Sequence, residues 1–220
     1  MRYLLLPLFF ICYLASAAPT QLGPTGAVTL PDAVCASGFA AAADVIDNSN
    51  QRGRLLRVNY GNGNAEVGLL YGADDGATSG MNGKLLLTPR GAEYPVAIGA
   101  AFRDYPDFIE RVAYVAVDHQ FIPEVKATAG VQRAQVHALT GDVYGTRGYL
   151  ALTVSFKSGE EYCGEIQTLG DSLYESNFVA SLRYTKHYHL YSYSVGSTNA
   201  NGLLGGPYQN LFAGMSMEWR

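Results

Sequence analysis

Apolar and polar residues alternate along most of this chain, in runs of about ten separated by turn residues. Asn64–Ala73 shows it plainly: Ala65, Val67, Leu69 and Tyr71 fall on one face, opposite Glu66, Gly68 and Gly72. A period of two belongs to a strand, whose successive side chains point to opposite sides of a sheet. Repeated about a dozen times, with each run long enough to cross a tilted bilayer, it predicts an all-β chain. The expected fold is an antiparallel, transmembrane up-and-down β-barrel of about 12 strands.

The predicted strands are Ala36–Ile46, Arg54–Tyr60, Asn64–Ala73, Gly80–Pro89, Pro95–Arg103 and Ile109–Phe121. Glu124–Arg133, Gly148–Phe156, Glu160–Leu169, Leu173–Tyr184, Lys186–Gly196 and Pro207–Arg220 complete them. In the first, Ala40–Ala43 would also suit a helix after Pro31-Asp32, but the later pattern favours a strand. Gly61-Asn62-Gly63 is a hairpin signal. Outer-membrane barrels alternate short periplasmic turns with longer outer loops. The expected outer set is Asp47–Gly53, Asp74–Ser79, Asp104–Phe108, Ala134–Arg147, Gly170–Ser172 and Ser197–Gly206. The inner set is Gly61–Gly63, Arg90–Tyr94, Ile122-Pro123, Lys157–Gly159 and Thr185.

The beginning of the chain reads differently. Met1-Arg2, the apolar stretch Tyr3–Leu14 and Ala15-Ser16-Ala17 form a secretory signal peptide over residues 1–17. Residues 18–35, with Pro19, Pro24 and Pro31, predict an irregular N-terminal segment, and 36–220 the barrel domain. Localisation in the outer membrane of a Gram-negative-type cell, after cleavage, follows from leader and strands together. Charged residues are 15% of the chain, below the ~25% of a soluble domain. A net charge of −4 gives no basic footprint for nucleic acid. The expected partner is outer-membrane lipid. Cys35 and Cys163 could pair in an oxidising compartment, but are read as small wall residues.

If the apolar face meets lipid, the opposite face lines the lumen. By parity that face carries Arg57, Glu66, Lys84, Arg103, Lys126, Glu165, Glu175, Arg183 and Glu218. The signs nearly balance, so these groups can pair across a narrow barrel and leave it plugged or finely bored. Tyr60, Tyr71, Phe102, Phe156, Tyr162, Tyr184 and Trp219 are expected at the membrane interfaces.

Catalytic and metal chemistry finds no constellation in the sequence. His187 and His189 sit two apart on one predicted strand, without a third metal ligand nearby. Asp118 and His119 are strand neighbours and point opposite ways; His137 falls in the longest expected outer loop. Ser155, Ser181 and Ser192 lack a G-x-S-x-G context, and Gly23-Pro24-Thr25-Gly26 lacks the Lys-Ser/Thr of a phosphate loop. The acidic loop tips are expected to be solvating residues rather than cation ligands. No catalytic residue, metal or cofactor is expected.

Gly23-Pro24-Thr25-Gly26, then Thr29-Leu30-Pro31-Asp32-Ala33, then strand hairpins including Ala65-Glu66-Val67-Gly68 and Met81-Asn82-Gly83-Lys84, resembles the YjbH-type outer-membrane family. The resemblance implies an outer-membrane barrel associated with exopolysaccharide, with envelope polysaccharide export components as partners. Members with that role are typically much longer. The expected function is a narrow channel or an accessory to envelope or exopolysaccharide export, and non-enzymatic. Two alternatives compete with it: a soluble periplasmic β-barrel binding an apolar ligand, and an outer-membrane lipid hydrolase.

Overall fold

Alternation is realised as a closed ring of strands. The structure, a computed structural model, describes Thr20 and residues 26–48, 51–73, 78–139, 141–169, 178–201 and 204–219. The predicted leader, Gly23–Thr25 and Glu175 lie outside the described residues. Twelve strands follow in order: β1 Ser37–Asn48, β2 Gln51–Asn62, β3 Ala65–Ala73, β4 Thr78–Leu86, β5 Val96–Asp104 and β6 Phe108–Ile122. β7 Val125–Ala138, β8 Gly141–Ser155, β9 Glu160–Leu169, β10 Phe178–Tyr188, β11 Tyr191–Asn201 and β12 Leu204–Trp219 complete the set. Each pairs antiparallel with its chain neighbours, and β1 closes on β12 with Phe39 opposite Trp219 and Asp47 opposite Leu211. The chain is therefore an all-β, closed, up-and-down barrel without free sheet edges. The first element is a strand, as the pattern predicts, because Phe39, Ala41, Ala43 and Val45 share one face opposite the buried Ala40, Ala42 and Asp44.

The outward face is apolar and exposed. Leu56, Val58 and Tyr60 on β2 and Val67, Leu69 and Tyr71 on β3 project from the wall, as do Leu211, Met215 and Trp219 on β12. Aromatic rings gather at the end of the barrel where β1 begins and β12 ends. Phe39 lies 5.2 Å from Trp219, Tyr162 5.1 Å from Tyr184, and Phe156 5.9 Å from Tyr162. We call this the termini end. Rings with apolar bodies and polar tips fit a boundary between hydrocarbon and headgroups.

The connections depart from the expected alternation of loop length. At the termini end lie 63–64, 87–95, 123–124, 156–159 and 189–190; at the far end lie 49–50, 74–77, 105–107, 139–140, 170–177 and 202–203. The longest connection at the termini end, 87–95, exceeds every one of those opposite. The expected loop Ala134–Arg147 is instead the continuation of β7 and β8 to a turn at 139–140. Above the apolar band a strand faces water on its outer side, so its outward positions become polar and the hydrophobic period disappears. The hairpin read at Gly61–Gly63 is present with its turn at 63–64, Gly61 and Asn62 ending β2: Asn62 Oδ1 accepts hydrogen bonds from the Asn64 and Ala65 N–H groups at 2.9 Å. Gly63 takes the φ of +78° that the turn requires.

Candidate functional site

The lumen is the place where charge is concentrated. Arg57, Glu66, Lys84, Arg103, Glu165 and Arg183 are all buried inside the ring. Lys126 is nearly so, and Glu218 is half-buried at the mouth of the termini end. Sequence parity misses others that join them: Asp44, Glu110, Asp118, Arg147 and Glu161.

These groups pair along the wall rather than across the lumen, which corrects the expected arrangement. Arg57 pairs with Asp44 on β1, Arg103 with Glu110 at 3.0 Å, and Lys84 with Glu66 at 3.6 Å. Arg183 pairs with Glu161 at 3.3 Å, and Lys126 with Asp118 at 3.7 Å. In every case the partners sit on adjacent strands, whose facing residues are ~4.5–5.5 Å apart and within easy reach. A twelve-strand lumen is too wide for most such pairs to bridge it.

What crosses the lumen is the chain itself. Gly26–Ala36 lies folded inside the barrel, turning at Ala27–Leu30 and running on into β1 at the termini end. Gly26 bridges Pro31, and the Ala27 N–H donates to the Leu30 carbonyl at 2.9 Å. Ala27, Val28, Leu30, Asp32 and Ala33 are each 4% exposed or less, and so form a plug. Residues 26–35 of the irregular N-terminal segment are thus part of the barrel interior, and Thr29-Leu30-Pro31-Asp32-Ala33 is the tip and one leg of the fold they make.

Two carboxylates latch this plug. Glu165, near the middle of β9, accepts the backbone N–H groups of Val28, Thr29 and Leu30 on one oxygen at 3.1, 3.0 and 3.1 Å. Its other oxygen takes the Thr29 hydroxyl and the Gln167 amide. Successive N–H groups in a tight turn form a concave anion site, here filled by a wall side chain. Asp32 reaches the other way, to Lys126 at 2.5 Å and Lys84 at 3.4 Å. Smaller contacts complete the seating. Tyr149 donates to the Pro31 carbonyl at 3.0 Å, Gln167 to Thr29 Oγ1 at 2.9 Å, and the Ala36 N–H to Glu66 at 2.8 Å. Leu30 packs in a cluster with Ala101, Val112, Ala116, Ala134 and Tyr149; Ala27 and Val28 pack with Ala151, Cys163 and Phe212.

Both described cysteines are free and buried in different places. Cys163 belongs to the wall, as read; Cys35 is at the base of the plug, where its thiol lies 3.6 Å from the Asn64 carbonyl.

Below the plug, a cavity of about 670 Å³ opens at the termini end, lined among others by Lys126, Glu161, Arg183, His187, Ser192 and Glu218. Here the histidine reading needs correction. The turn lies at His189-Leu190, so His187 on β10 faces Ser192 on β11 as its direct partner. Ser192 Oγ is 2.8 Å from His187 Nδ1, and Glu161 Oε2 is 3.9 Å from Nε2. His189 sits in the turn with φ +53°. His137 is on β7, exposed and in contact with Asp142. Among the described residues no group of three or more His, Cys, Asp or Glu side chains forms a metal cluster.

No protein-family model and no curated protein sequence matches the chain. Its fold is shared with solved structures. The KdgM porin in complex with disordered oligogalacturonate superposes with a TM-score of 0.69 at 6% identity, covering 82% of this chain and 99% of that one. For the NanC porin the TM-score is 0.66 at 10% identity, with 83% and 100% covered. LpxR from Salmonella typhimurium gives 0.51 at 10% identity, with 82% and 100% covered. At such identities the likeness is one of fold.

Proposed function

We propose that this protein is a non-enzymatic outer-membrane channel, closed at rest by its own N-terminal plug. The observation that carries this reading is the seating of Gly26–Ala36 in the lumen on Glu165, Lys84 and Lys126. The exposed apolar wall and the likeness to porin barrels support the membrane setting. A barrel of this fold in complex with oligogalacturonate supports a saccharide as the class of solute. The resemblance of Thr29–Ala33 and the hairpins to an exopolysaccharide-associated family points to the same class. Withdrawal of the plug would take one carboxylate, Asp32, away from two lysines and leave the lumen more welcoming to an acidic sugar.

The test is a planar-bilayer recording of the refolded chain. Conductance should be small or absent, because a seated plug and wall-bound ion pairs leave little continuous water. Large, steady conductance from the intact chain would mean that the plug does not close the pore.

A second reading has one specific observation behind it, the Ser192–His187–Glu161 set in the termini-end cavity. Nucleophile, base and orienting acid are the parts of a hydrolase. The geometry favours a structural role. The 3.9 Å gap exceeds the ~2.6–3.2 Å of a catalytic hydrogen bond, and Glu161 is already held by Arg183 and Ser155 at 3.3 Å each. A fluorophosphonate probe should leave Ser192 unlabelled. Labelling that Ser192→Ala abolishes would install the hydrolase reading instead.

A further inference from the structure

Two arginines stand on the wrong face for a lumen. Arg111 on β6 and Arg133 on β7 are exposed on the outward side of the barrel, opposite Phe102 on β5 and Ala113 on β6 respectively. Height explains how the membrane tolerates Arg111, and a long side chain that snorkels toward the same edge explains Arg133, level with Ala113. On β6 the outward positions run from Phe121, in the aromatic boundary at the termini end, through Val117, Val115 and Ala113 to Arg111. About ten residues at ~3.3 Å each, tilted by ~40°, rise about 25 Å, the height of the apolar band of such a barrel. Arg111 therefore leaves the wall at the far edge of the hydrocarbon.

The pair forms a site. Gln135 is the direct partner of Arg111 and Arg133 of Ala113, so the two guanidiniums start from diagonal positions ~7–8 Å apart on adjacent strands. They border an outward groove of about 600 Å³, with Met81, Phe102, Ala113 and Tyr144 as further walls. The Arg133 guanidinium lies 5.7 Å from the centre of the Tyr144 ring. Asp142, the nearby carboxylate, is engaged by His137 and by Gln135 at 2.9 Å. Directly opposite them stand Phe102 and Gln135 for Arg111, and Ala113 and Thr146 for Arg133, while the exposed Asp104 on β5 is diagonal to Arg111.

Two planar cations above a greasy groove match a phosphate above acyl chains, since guanidinium binds phosphate oxygens bidentately. We propose that Arg111 and Arg133 bind the phosphate of a phosphorylated acyl lipid in the leaflet at the far end, with its chains along Met81, Phe102 and Ala113. This rests on reading the protein as an outer-membrane barrel.

The experiment is native mass spectrometry of the detergent-refolded full chain titrated with diphosphorylated lipid A, with diacylglycerol and inorganic phosphate as separate arms. Lipid A should form a discrete adduct that diacylglycerol does not. Arg111→Ala/Arg133→Ala should weaken it at least tenfold, and Arg54→Ala, an outward arginine on β2, should leave it unchanged. Heat-modifiable migration in gels shows that each variant is folded. An adduct that survives the double substitution overturns the proposal. So does equal binding of diacylglycerol, or displacement of lipid A by inorganic phosphate at the same concentration. Membrane fractionation separates the two readings: an outer-membrane protein without a lipid A adduct loses this site alone, whereas a soluble periplasmic protein loses both.

Discussion

Glu165→Ala should turn a silent barrel into a conducting one. Its carboxylate takes the N–H groups of Val28, Thr29 and Leu30 at the turn of the plug, and Leu30 itself is 1% exposed. Without it, three buried donors lose their acceptor, at ~1–3 kcal/mol each when unsatisfied. Together these approach the ~5.5 kcal/mol that inverts a 1:99 equilibrium between seated and withdrawn plug. The Thr29 hydroxyl and Gln167 lose the same partner, so the tip is left with the Gln167–Thr29 contact and its apolar packing. Asp32→Ala should act in the same direction from the other leg, because it removes the carboxylate that ties the plug to Lys84 and Lys126, which keep only their wall partners Glu66 and Asp118. Glu165→Gln keeps an acceptor oxygen without the charge and should fall between. Bilayer recordings of variants with unchanged heat-modifiable migration provide the readout. A folded Glu165→Ala barrel as silent as the parent would show that the plug is held by packing rather than by this latch.

The wall was legible in the sequence and the plug was not, for a physical reason. Val67, Leu69 and Tyr71 show which way a strand faces because lipid demands apolar side chains at every second position. The same demand placed Glu66, Lys84 and Glu165 on the opposite face. Ala27–Leu30 has no period, and its partner Glu165 is 137 residues beyond Val28, so nothing local announces the contact. The Ser192–His187 contact was hidden by a turn placed at Thr185. With the turn at His189-Leu190, two residues that share a predicted strand become partners on two. Strand ends above the apolar band, such as Gln135 and Tyr144, lose the signal because water rather than lipid faces them. Pairing along the wall rather than across it could have been foreseen, since adjacent strands are always nearer than opposite ones.

Gly130→Val should abolish barrel assembly, while Gly83→Ala should be tolerated. Gly130 on β7 faces inward and is the direct partner of Tyr149 on β8, whose ring lies over the space a side chain would need. Any Cβ at Gly130 overlaps that ring, whereas the nearest neighbour of a Cβ at Gly83 is the Glu66 carbonyl at 3.8 Å. A displaced Tyr149 would leave the Leu30 cluster and release the Pro31 carbonyl it holds at 3.0 Å, so the damage reaches both wall and plug. Overpacking typically costs ~1–3 kcal/mol, and a β-branched side chain against an aromatic ring belongs at the upper end. Tyr149→Ala removes the ring and makes room for valine. The double variant Gly130→Val/Tyr149→Ala should therefore refold better than Gly130→Val alone, a coupling expected for residues in direct contact. Refolding yield read from heat-modifiable migration decides the matter. Equal yields for Gly130→Val and Gly83→Ala would mean that the lumen has room to spare beside Tyr149, and that the plug owes nothing to this packing.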